Sequence, residues 1–235
     1  MKISVSLIAL LLVSLYSQAQ FFVQQLPQDQ ILNNDKAYVV TNQGDTVKGV
    51  IINGSILRDS VNGDLLEAFT IKTDQGKIKY KMLEIQTLGV IPGVGAKHKD
   101  MPLLTTLKKA SDTTFLKAVE TEWVIFERIL LPGKREVYDL AQLVNPGFDS
   151  KIKVYTRREA NDSGNLSFAS ISLTGGEDLS HLVSINNERP ILVTKRKYQK
   201  DGYNMVFKDC DMLSQGKLMW KEFAKHIYVY DTKCE

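Results

Sequence analysis

Patterns that announce chemistry are scarce in this chain. It holds two cysteines, six prolines and three histidines among 235 residues. No HExxH signature and no GxSxG elbow occurs, so neither a zinc hydrolase nor an α/β-hydrolase nucleophile is written in its usual form. His98, His181 and His226 stand too far apart to offer metal-ligand spacing. The stretch from Gly93 to Lys97 mimics a phosphate-cradling loop but lacks the GxxxxGK(S/T) spacing, and GxGxxG fails at His98. It reads as a surface loop. Charge of one sign is also lacking. Thirty basic residues face 27 acidic ones, a net +3, which argues against a nucleic-acid binder with its marked basic excess. No cofactor and no metal site is expected.

Long hydrophobic runs are confined to the start. Lys2 precedes the apolar ISVSLIALLLVSLY, and Ser17 and Ala19 take the small-residue positions of a cleavage site. Residues 1–19 therefore read as a signal peptide, too short for a comfortable bilayer span, and no transmembrane segment is expected after it. The expected location is the periplasm or the extracellular space. In that setting, Cys210 and Cys234 read as one structural disulfide, since an even count without CxxC spacing favours a bridge over redox or metal chemistry.

What is present is turn and strand text. Residues 20–36 are rich in Gln and Asn and read as an extended arm. In residues 37–91, YVVTNQGDTVKGVII and FTIKTDQGKIKYKMLEI repeat one design: apolar alternation, a turn cluster, then a lysine-bearing strand. Both read as hairpins closed by a glycine in the left-handed region, Gly44 and Gly76. Lys48 and Lys79 read as part of a solvated strand face, not an anion grip. GVIPGVGAKHKDMPLL, with its glycines and prolines, reads as loop, and residues 92–121 as an irregular stretch. In 122–193, ETEWVIFERILL and REVYDLAQLV form a central hairpin joined by a type II turn at Pro132-Gly133, and KIKVYTRR, LSFASISL and HLVSIN continue the strands. In 194–235, Thr194 is a candidate N-cap, and Met219, Phe223, Ile227 and Tyr230 make an apolar stripe at helical spacing. The fold class is mainly β (α+β): an antiparallel, hairpin-built body with a C-terminal helical segment packed on it. That helical end speaks against an outer-membrane barrel.

Several stretches resemble an uncharacterised family of secreted Gram-negative envelope proteins. They are Gly44-Asp45-Thr46-Val47-Lys48-Gly49-Val50-Ile51, Lys79-Tyr80-Lys81 with Glu84-Ile85, the spaced Phe126, Leu130, Gly133 and Tyr138, and Phe207, Asp209 and Cys210. The chain departs from that pattern in residues 92–121 and at Asp211, where a proline is common. The resemblance implies export and this order of elements. It implies no activity.

Two functional classes follow. The first is a non-catalytic binding or structural protein of the bacterial envelope, its partner an envelope protein or glycan, met through an exposed strand edge or the loop after Gly89. The second is a hydrolase of envelope polymers or glycans. It would draw on Glu120, Glu122, Glu127, Glu136 and Asp139 near the central hairpin. Strand alternation would put Glu120 and Glu122 on one face, a speculative acid–base pair. The basic run Lys195-Arg196-Lys197, with Lys200, reads as a solvated helix face.

Overall fold

The computed structural model describes residues 22–23, 26, 31–59, 63–93, 122–133, 135–156, 180–214 and 216–234. These contain ten strands: β1 (Asn34–Thr41), β2 (Thr46–Asp59), β3 (Gly63–Thr73), β4 (Gly76–Lys81), β5 (Ile85–Pro92), β6 (Val124–Leu130), β7 (Tyr138–Leu143), β8 (Ile152–Thr156), β9 (His181–Ile185) and β10 (Ile191–Val193). Helices α1 (Lys195–Val206), α2 (Asp211–Ser214) and α3 (Phe223–Lys233) follow. The strands form one sheet in the order β10-β9-β8-β7-β6-β5-β1-β2-β3-β4. Every pairing is antiparallel.

The two lysine-bearing hairpins are β1–β2 and β3–β4. In the first, the Gly44 amide donates to the Thr41 carbonyl at 3.0 Å and Gly44 sits at φ +88°, so a type I turn closes with glycine in the left-handed region. Gly76 has φ +133°. The central hairpin is β6–β7, but its connection is wider than a four-residue turn. The Leu131 amide donates to the Val137 carbonyl, so Pro132 and Gly133 (φ +140°) lie in a loop reaching to Glu136.

Strand β5 differs from the sequence expectation. Its glycine and proline suggested a loop, yet Ile85–Pro92 lies at the centre of the sheet between β1 and β6 and is almost wholly buried. Burial on both faces removes the polar alternation that marks a half-wet strand. The glycine has a packing reason: Gly89 pairs with Tyr38, and a Cβ on Gly89 would overlap the Tyr38 ring.

The sheet curls until β3 comes back against β7. Inside that curl, Val39, Ile51, Phe69, Ile71, Leu88, Val90, Phe126 and Leu140 form one apolar core. These positions alternate along their strands, so one face of β1–β7 is apolar because its residues are. The strands beyond β7 present Ile152, Val154, Val183 and Val193 on the same face, and the helices cover them with Tyr198, Phe207, Phe223, Ile227 and Tyr230. Helix α1 starts at Thr194, whose hydroxyl accepts from the Lys197 amide. Phe223, Ile227 and Tyr230 are the buried stripe of α3. The C-terminal helical segment is thus packed on the sheet, and a disulfide joins Cys210, between α1 and α2, to Cys234 after α3, Cα atoms 5.3 Å apart.

The arm of residues 20–36 is described in part. Val23 donates to the Val144 carbonyl, Leu26 to the Gln142 side chain, and Phe22 joins an aromatic group with Phe148, His181 and Phe223. No helix among the described residues is long and apolar enough to cross a membrane.

Candidate functional site

On the face of the sheet opposite the main core, Glu127 of β6 reaches across β7 to Lys153 and Tyr155 of β8. The residue opposite Glu127 on β7 is Ala141, which is too short to block the way. Lys153 Nζ donates to both Glu127 oxygens at 3.1 and 3.0 Å, and the Tyr155 hydroxyl donates to Oε2 at 2.6 Å. The carboxylate and ammonium are about four-fifths buried, with 21% and 23% of their side chains exposed. Burial first, and then the charge of Glu127, hold the Tyr155 phenol well above the ordinary tyrosine range. It stays protonated and keeps donating. The same two causes raise Tyr38. Asp149 is raised by burial, an effect that Lys153 partly offsets.

Glu127, Lys153 and Tyr155 line a concavity of about 340 Å³ with Ser184, Glu188 and Arg189. Several of its polar groups are already engaged. Ser184 Oγ donates to the Glu188 carbonyl at 2.6 Å, and the Arg189 guanidinium donates to the Leu131 carbonyl at 3.1 and 2.5 Å. The turn that carries this wall has Asn186 and Asn187 at φ 50° and 60°, with Glu188 N bonded to Ile185 O. Two successive positive φ values make it a type I′ turn, for which asparagine is suited. A Glu127 that already receives an ammonium and a phenol is built as a brace between β6 and β8. As a general base it would first have to give up both donors.

The acid–base pair from the sequence falls differently. Glu120 lies outside the described residues. Glu122 is exposed and precedes β6. Asp139 on β7 is buried at 1% exposure, and Glu136 is exposed in the hairpin loop. The central hairpin thus brings together Glu127, Lys153 and Tyr155. Sequence reasoning saw the first and missed its partners, because the contact requires knowing that β8 lies two strands from β6. The alternation of Lys153 and Tyr155 in KIKVYT was the available signal.

The second feature is the far edge of the sheet. Strand β4 is its last strand, bonded on one side to β3. Lys77, Lys79 and Lys81 alternate along it and are exposed. In register they stand opposite Lys72, Thr70 and Ala68, and Lys72 stands opposite Val50, two residues from Lys48. Five lysines therefore share one face of β2–β4. On the other face, Ile78 and Tyr80 stand opposite Ile71 and Phe69 of the core. Tyr80 is half-buried against Phe69, ring centroids 6.1 Å apart, while Ile78 is 38% exposed.

The basic run at the start of α1 lines a third, open depression of about 750 Å³, with Lys195, Arg196, Lys200 and Lys217. His181 is buried among Phe22, Trp220 and Phe223, and His226 Nδ1 lies 2.5 Å from the Tyr198 hydroxyl. Among the described residues, no group of three or more His, Cys, Asp or Glu side chains is arranged to hold a metal ion. Neither a protein-family model, nor a curated protein, nor a solved structure matches this chain.

Proposed function

We propose that this chain is an exported, non-catalytic binding protein of the bacterial envelope. Export is supported by the signal-peptide pattern of residues 1–19 and by the bridged cysteines Cys210 and Cys234, which suit an oxidising compartment. The observation that carries the binding reading is the open edge of β4. Among the described residues it ends a ten-stranded sheet, no further strand pairs with its outer side, and it carries an exposed apolar side chain, Ile78. Sheet edges bind extended chains through main-chain hydrogen bonds without special side chains. In the concavity at Glu127, by contrast, Glu127, Lys153, Tyr155, Ser184 and Arg189 are engaged internally.

The test is photo-crosslinking in intact cells from probes spread over the surface, at Lys79, Leu83, Met212 and Lys217, followed by mass spectrometry. Saturable capture of one identified envelope protein or glycan is the expected result. Turnover of an envelope polymer by the purified protein, abolished by Glu127→Gln, would replace the binding reading with the hydrolase one.

A further inference from the structure

We infer that β4 docks an extended segment of a partner protein whose side chains alternate acidic and apolar. This deepens the binding reading above and rests on it. Lysines on an edge strand commonly serve only to prevent sheets from pairing edge to edge. That role needs charge on the edge strand alone. Here the lysines continue inward to Lys72 and Lys48, and Lys72 faces Lys77 directly across the β3–β4 ladder. Like charges directly opposite each other weaken a sheet. Among the described residues none of these five lysines is ion-paired. Carboxylates of a partner would complement the positive charge these lysines concentrate.

The two faces of β4 specify the partner together. An added strand repeats the two-residue period of its neighbour. One of its faces would lie beside Lys77, Lys79 and Lys81, where carboxylates are favoured. Its other face would lie beside Ile78 and Tyr80, extending the apolar row that runs outward from Ile71 and Phe69. Covering Ile78 removes an exposed apolar side chain from water, and the new ladder satisfies the open edge of β4. A second copy of this chain pairing through β4 would set lysine rows side by side, so self-association is opposed. A polyanionic glycan or an anionic lipid surface would use the lysines but would leave the main-chain edge and Ile78 unsatisfied.

Fluorescence anisotropy with labelled synthetic peptides tests this on the purified protein. The probes are an alternating Glu/Val peptide, a block isomer of identical composition, and the alternating peptide N-methylated at every second amide in either phase. The alternating peptide is expected to bind, more weakly as salt rises, with the block isomer at least about tenfold weaker. One N-methyl phase should abolish binding, since it removes the ladder donors. Replacing Lys77, Lys79 and Lys81 together by Gln should weaken binding about tenfold at low salt, with circular dichroism and Tm showing a folded protein. Should that triple variant fail to fold, Lys79→Gln alone gives the same comparison.

Equal binding of the block isomer or of both N-methylated peptides would overturn the strand-addition geometry. Binding of phosphatidylglycerol vesicles or heparin that depends on the lysines and exceeds binding of the peptide would replace it with a polyanion surface. No binding of any peptide, alongside specific in-cell capture from Met212 or Lys217, would remove β4 while leaving the binding reading in place. Polymer turnover would remove both.

Discussion

Two buried polar residues hold the region where the sheet meets the helices, and each has a measurable consequence. The Asn145 side chain is fully buried. Its amide donates to the carbonyls of Phe148 and Ile152 at 2.6 and 2.8 Å, and its oxygen accepts from the Val154 amide at 2.7 Å. It therefore closes the β7–β8 connection from inside. Asn145→Ala would strand three backbone groups away from water, and a loss of about 3 kcal/mol in urea unfolding is expected. His181 is the opposite case. Its ring stacks on Phe223 and Trp220, and among the described residues its Nδ1 finds no hydrogen-bond partner. Burial pushes its pKa from 6.5 down to about 4, against a smaller opposing effect of a hydrogen bond with the Tyr155 backbone. The unfolded chain then binds a proton that the folded chain refuses. The stability from His181 is whole above pH 6.5 and declines as the pH falls through about 4, by at most about 3 kcal/mol. The difference in Tm between the protein and His181→Phe, followed from pH 7.5 to about 4, should therefore shrink or reverse as the pH falls. A difference independent of pH would show that the imidazole already titrates normally in the folded state.

At the scale of elements, β5 shows how a packing demand can hide a strand. Gly89 lets β1 lay the Tyr38 ring over the sheet, and that ring meets Trp123 edge-on with centroids 4.9 Å apart. Gly89→Ala would push the ring away. The expected cost is about 1–3 kcal/mol in denaturant unfolding, together with a shift in tryptophan fluorescence as the neighbour of Trp123 moves. The same residue explains what was legible in the sequence. Hairpins β1–β2 and β3–β4 announced themselves through Asn42-Gln43-Gly44 and Asp74-Gln75-Gly76, because a turn is a local event and needs a particular residue at positive φ. The helix at Thr194 and the stripe of α3 were legible for the same reason: cap and period are local. Strand β5 was not, because Leu88-Gly89-Val90-Ile91 is buried on both faces and carries a glycine for the sake of a residue 51 positions earlier. The Glu127–Lys153–Tyr155 brace was not legible either, since it depends on strand order. Neither was the lysine face of β2–β4, since a solvated strand and a docking strand share the same alternation. What the structure adds to the sequence is the position of β4 at the end of the sheet, and Lys72 standing against Lys77.

Across the whole molecule, one continuous sheet carries two different cores on the same face. Strands β1–β7 curl around their own apolar residues, closed by the return of β3 against β7. Strands β8–β10 have no strand to fold over them and are closed by the helices instead. The second core depends on keeping α1–α3 in place, and three ties do so. Asp231 of α3 accepts from the Lys151 amide at 2.7 Å and from Ser150 Oγ, fastening the helix to the start of β8. The Lys151 ammonium donates to the Cys234 carbonyl. The Cys210–Cys234 bond joins the segment after α1 to the end of α3 across 24 residues. By the chain-entropy argument a loop of that length contributes about 3 kcal/mol. Its removal should act where the loop is. In Cys210→Ser/Cys234→Ser, hydrogen exchange is expected to quicken in α1–α3 and in β8–β10, while the amides of β1–β3 keep most of their protection, because their core includes no residue of α1–α3. Uniform loss of protection across both halves would instead mean that the two cores open as one cooperative unit. In that case the β4 edge would come and go with the helices, and its peptide binding would become sensitive to reductant. If the cores open separately, the edge stays formed when the disulfide is reduced, and the Glu/Val peptide should bind reduced and oxidised protein alike.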